Sequence, residues 1–148
     1  MLNEITYDRS ERIYKWIDPE SGQIFTAPSR QKHELFKTAV AMLDPDLYQV
    51  ATSMIDQHPQ IERVVWKAVE LVTENRVDAF DVPKGDVIAM VDSSDGYGRY
   101  AVSLTDGYHV CQCEHWQSFS APLIESGARV CKHVAAVWLW QSTRQENF

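Results

Sequence analysis

The densest chemistry in this chain lies in three cysteines and one histidine. They read Cys111-Gln112-Cys113 and, after 17 intervening residues, Cys131-Lys132-His133. Three thiolates and one imidazole make a complete tetrahedral donor set for zinc. Residues two apart on a strand point to the same face, so Cys111 and Cys113 can both reach one ion. Cys131 and His133 stand at the expected start of a helix, where free backbone N–H groups stabilise thiolate sulfur. Every cysteine of the chain is used. Four good protein ligands predict a closed structural site, because a catalytic zinc keeps one position open. No Cys-x-x-Cys redox pair is present, and an odd cysteine count argues against a disulfide framework. His109 and His115 share the strand face of the cysteine pair if the strand runs straight. Either could replace His133 or hydrogen-bond to a ligand.

The elements that must position these ligands are legible in the flanks. Val87–Val91, Tyr100–Leu104 and Tyr108–Cys113 read as three strands, joined by Asp95-Gly96 and Asp106-Gly107 turns. A polar stretch follows, and residues 131–142 then read as a helix with Val134, Ala135, Val137, Trp138 and Leu139 apolar.

Upstream, Ile13–Ile17 and Ile24–Thr26 flank Asp18-Pro19-Glu20-Ser21-Gly22, the pattern of a β-hairpin. Pro28 ends it, and Ser29 is placed to cap a helix. Three helices are expected between about 29 and 77. Their stripes are Leu35, Phe36, Ala39, Val40 and Leu43; then Leu47, Val50, Ala51, Met54 and Ile55; then Ile61, Val64, Val65, Ala68, Val69 and Val72. Asp44 and Pro45 suit an N-cap and first helical position. Three such stripes can bury one another. The expected fold is therefore α+β. An N-terminal β-hairpin and three-helix region spans residues 1–82. A C-terminal antiparallel three-stranded sheet plus helix, holding one zinc, spans 83–148.

With those elements in place, Cys-x-Cys…Cys-x-His resembles a SWIM zinc finger. Tyr100-Ala101-Val102 matches the family's strand, and Cys131-Lys132-His133-Val134-Ala135-Ala136-Val137 resembles its Cys-Lys-His and apolar-helix segment. The resemblance covers about residues 87–141. Glu114 departs from it, standing where a proline is frequent. Nothing before residue 80 joins it. The resemblance implies a binding unit for DNA or protein, of the kind found in helicase-like ATPases, transposase-related proteins and recombination-accessory proteins.

Charge limits the partners. Fourteen basic and 21 acidic residues give a net charge of −7, which excludes a non-specific nucleic-acid coat. The basic residues of the N-terminal region, Arg30, Lys32 and Lys37 with Arg9, Arg12 and Lys15, are the candidate nucleic-acid contact. After residue 100 the cations are Arg129, Lys132 and Arg144. Trp116, Phe119, Trp138 and Trp140 cluster around the metal motif and could stack on bases, anchor a protein or pack the module. No apolar run approaches a membrane span, and the first residues lack a secretory pattern, so an intracellular, cytoplasmic protein is expected. No nucleophile with a paired base and no Gly-x-x-x-x-Gly-Lys-Ser/Thr loop occurs, so no enzyme and no small-molecule substrate are expected. The reading is a small zinc-binding accessory protein in DNA or mobile-element metabolism that binds nucleic acid, a larger protein or both. The alternative is a protein-interaction adaptor that never touches nucleic acid.

Overall fold

The computed structural model describes residues 5–81, 87–92, 98–105, 108–113, 116 and 121–146. The chain divides into two compact units, Met1–Gln49 and Val50–Phe148. Its α+β class and element order follow the sequence expectation, and each sheet carries one strand more than expected.

In the first unit β1 (Thr6–Asp8), β2 (Ile13–Ile17) and β3 (Ile24–Pro28) form an antiparallel sheet in that order. The β2–β3 turn is built by Asp18. Its carboxylate accepts the Glu20 N–H at 3.1 Å and the Ser21 hydroxyl at 2.6 Å. Gly22 closes the turn at φ +73°, a conformation that glycine adopts without strain. Helix α1 (Lys32–Leu43) packs on β2 and β3, and Leu35 and Ala39 join Trp16 and Ala27 in a small core. Ser29 does not cap α1. It opens a 3₁₀ turn, Ser29–Gln31, and α1 begins after it with no side-chain cap.

Helix α2 (Pro45–Gln57) starts as its sequence dictates, with the Leu47 N–H donating to the Asp44 carboxylate at 3.2 Å. The division between the units falls within it.

The second unit holds the metal motif. A 3₁₀ turn at Pro59–Ile61 leads into α3 (Glu62–Thr73). Four strands then form an antiparallel meander: β4 (Val77–Asp81), β5 (Val87–Asp92), β6 (Arg99–Thr105) and β7 (Tyr108–Cys111). β4 is the unexpected strand of this sheet; Asn75, at φ +56°, ends α3 just before it and is the local signal of that boundary. The two Asp-Gly turns lie outside the described residues. Helix α4 (Lys132–Glu146) packs on all four strands and also on α3. That double contact explains its composition. Val134, Ala135, Ala136, Val137 and Leu139 are all fully buried, and a helix covered on two sides needs apolar residues around most of its surface. The stripe of α3 therefore meets α4 as its main partner, and that of α1 meets β2 and β3, where mutual burial of three helices was expected.

Strand register sets the inner face of the sheet. Ala89 pairs with Val102, and Val102 with Cys111. All three are buried, in one row across three strands. Cys111 thus enters the core as part of the sheet's apolar face.

Candidate metal centre

Each ligand is delivered by a different local device. Cys111 is the last residue of β7. The strand ends there, so Cys113 does not reach the site by strand alternation as the sequence suggested. The chain instead bends around the Cys111 sulfur, and the Cys113 N–H donates to Cys111 Sγ at 3.4 Å. The Trp116 N–H donates to Cys113 Sγ at 3.4 Å, which repeats the device one step later.

Cys131 is the residue before α4. Its Sγ accepts the Val134 N–H at 3.4 Å, and its carbonyl accepts the Ala135 N–H at 2.9 Å. This is N-cap geometry with sulfur in place of the usual oxygen. The positive end of the helix dipole also favours thiolate there. His133 lies two residues on, in the first turn. Its Nδ1 faces Cys131 Sγ at 4.0 Å, and its ring packs against the Tyr100 ring with centroids 4.6 Å apart. Tyr100 shares the inner face of β6 with Val102, two residues away.

The loop before α4 is a folded platform. Leu123 and Arg129 form an antiparallel bridge. The Ile124 N–H donates to the Ala128 carbonyl and the Val130 N–H to the Pro122 carbonyl, at 2.9 and 2.8 Å. The Arg129 guanidinium donates to the Ala121 carbonyl at 2.9 Å, and Gly127 turns the chain at φ +87°. Gln60 ties this platform to the turn before α3 through the Leu123 carbonyl at 3.3 Å.

These devices place one donor atom each from Cys111, Cys113, Cys131 and His133 within 4.8 Å of one another, and all four residues are buried. A tetrahedral zinc with Zn–S near 2.3 Å requires donor separations of roughly 3.6–3.8 Å. The 4.0 Å Sγ–Nδ1 separation is close to that. The cluster is able to bind one metal ion, and three sulfurs, one imidazole and three N–H···S hydrogen bonds fit zinc. Among the described residues no other group of His, Cys, Asp and Glu comes together this way. None of the three cysteines is in a disulfide.

Crowding three sulfurs in a buried space splits their acidities. The Cys111 and Cys131 thiols donate to Cys113 and push its pKa far down, helped by His133 and the Trp116 N–H. Cys111 is pushed far up by the Cys113 and Cys131 sulfurs and by burial. Cys131 accepts from Cys111, yet the Cys113 sulfur and burial outweigh that and raise it to about 11. Without metal the cluster therefore holds its first negative charge on Cys113. A divalent cation removes the penalty for the other two.

The remaining expected residues fall elsewhere. Arg30, Lys32 and Lys37 lie in the first unit. Lys37 sits 3.5 Å from the Glu34 carboxylate, Lys32 lies 5.4 Å over the Tyr14 ring, and Arg30 is exposed. The His109 side chain and all of His115 and Phe119 lie outside the described residues. Trp138 packs on the His58 ring at 5.9 Å, and both Trp138 and Trp140 are half-buried. Tyr100 against His133 was not foreseen as a site contact. Its only sequence signal was the strand alternation that puts it on the face of Val102. Among the described residues no helix is long and apolar enough to cross a membrane. No protein-family model, no curated protein and no solved structure matches this chain.

Proposed function

We propose that this chain is a small zinc-binding accessory protein whose zinc is structural, and that the module it shapes binds nucleic acid, in the setting of DNA or mobile-element metabolism. The observation that carries the reading is the buried cluster of four protein donors. Cys111, Cys113, Cys131 and His133 would complete a tetrahedral shell, leaving no position for substrate. When bound, zinc would join the end of β7 to the start of α4. That favours a binding protein over an enzyme. Ligation by thiolates suits a reducing intracellular compartment. The resemblance of residues 87–141 to SWIM zinc fingers supports the nucleic-acid setting. The net charge of −7 favours a second reading, an adaptor that docks on a larger protein and makes no nucleic-acid contact.

Two measurements test this. Metal analysis of the purified chain should find one zinc per molecule. Its removal by a chelator should abolish the near-UV signal of the tryptophans around α4, because metal binding and folding are coupled in such sites. An unchanged spectrum after complete zinc removal overturns the structural role. Labelled single-stranded and duplex DNA and RNA, titrated with zinc-loaded protein, then decide between the readings. Saturable binding that weakens steeply with salt supports phosphate contact. A flat titration favours the adaptor.

A further inference from the structure

A cleft of about 350 Å³ opens beside the metal cluster. Its walls are Arg63, Val64 and Lys67 of α3, the loop residues Ala121 and Pro122, and Cys131 and Lys132 at the start of α4. We infer that this cleft is where a nucleic-acid backbone phosphate binds, held by Arg63, Lys67 and Lys132. The inference rests on the nucleic-acid reading above and gives it a location.

Three observations converge on it. First, three cations line the cleft, and among its described lining residues none is acidic. This occurs on a chain whose net charge is −7. Second, Arg63 and Lys67 carry charge that no ion pair among the described residues offsets, as do Arg9, Arg12, Arg30 and Lys32 of the first unit. Lys15, Lys37, Arg76 and Arg99 each lie within ion-pair distance of a carboxylate. Arg63 and Lys67 are exposed, and among the described residues neither makes an ion pair. They stand four apart on one helix face, where like charges repel. An anion between them relieves that repulsion. Third, the positive end of the α4 dipole lies at the same wall, through Lys132.

Compensation of the metal centre does not account for the three charges. Three thiolates and an imidazole around Zn²⁺ carry a net charge of minus one, which one cation offsets, and Lys132 stands between two of the ligands; Arg63 and Lys67 are not needed for it. The cleft suits one phosphate with its sugar rather than a duplex lying across a surface. Arginine would clamp two phosphate oxygens, and the lysines would act as point charges.

The test uses the full zinc-loaded chain and a labelled single-stranded oligonucleotide, read by fluorescence anisotropy across a salt series. R63E/K67E should lower affinity at least about tenfold and reduce the salt slope by about 1 to 2. Zinc content and thermal midpoint should stay those of the parent, since both residues are exposed. R30E/K32E/K37E should bind as the parent does. If R63E/K67E loses zinc, R63Q/K67Q replaces it and should still lower the affinity and the salt slope. Parent-like binding by the cleft variant, with loss in the N-terminal variant, overturns the cleft and leaves the nucleic-acid reading standing. No binding by the parent chain overturns both.

Discussion

Loading the centre with zinc should release two thiol protons per ion near neutral pH. The number follows from how the sulfurs share charge. Cys113 is the acceptor of the cluster, with its thiol pushed far down by the Cys111 and Cys131 donors. Cys111 is pushed far up, and Cys131 rises to about 11. The metal-free cluster thus enters the reaction with one thiolate and two thiols, and ligation requires three thiolates. Protons compete with zinc, so affinity rises with pH. Two protons correspond to a slope of about 2 in the logarithm of affinity per pH unit, or about 2.7 kcal/mol per unit. Competition against a chromophoric chelator between about pH 7 and pH 8 gives the slope, and calorimetry in buffers of different ionisation enthalpy gives the proton count. An affinity flat in pH would refute the thiol ligand assignment. Release of three thiol protons would refute the preformed Cys113 thiolate.

The stability of the two forms should also part at alkaline pH. In the zinc-free fold Cys111 and Cys131 keep protons that an unfolded chain sheds near pH 8.5, so unfolding gains from further alkalinity and stability falls above about pH 8.5. In that window Cys113 is ionised in both states and adds nothing. Chemical denaturation of the chelated protein at about pH 9 and about pH 10, both above that value, checks this. Cys131→Ser and Cys131→Ala separate the two tasks of that residue, since both remove the metal thiolate and only serine can still cap α4. Both should lose zinc, and the alanine variant should be less stable by about a further 1 kcal/mol, measured in the zinc-free state by urea unfolding. Leu139 is fully buried in α4, so Leu139→Ala should cost about 2–5 kcal/mol with zinc stoichiometry unchanged. A loss under 1 kcal/mol in the same assay would mean that α4 is not a core helix.

Much of the fold is legible in local sequence. The Asp18–Gly22 turn, the Asp44 cap of α2 and the stripes of α1, α2 and α3 are written in short windows of sequence. Each depends on neighbours within about one or two turns of chain. Ser29 shows where such reading fails. A serine before a helix is a fair cap, but here the chain enters a 3₁₀ turn first and the helix starts three residues later. β4 shows another failure. Asn75 ends α3 just ahead of it, but nothing in Val77–Asp81 itself marks a strand, and it becomes one because β5 pairs along its whole length.

Spacing alone marks Cys111, Cys113 and Cys131 as metal ligands, because thiol spacing is a local property and no other cysteine competes, and it offers His133 as the fourth with His109 and His115 as alternatives. The flanking sequence sets a strand before the first pair and a helix after the second. How those ligands meet is a property of the folded chain. The strand stops at Cys111, and N–H···S hydrogen bonds turn the chain so that Cys113 reaches the same point. Register puts Tyr100 on the face that meets His133. Packing of α3 on α4 brings Arg63 and Lys67 beside Lys132, some 65 residues away in the chain. Contacts between distant segments leave no periodic mark in either segment, so they exist for a reader only once the chain is folded.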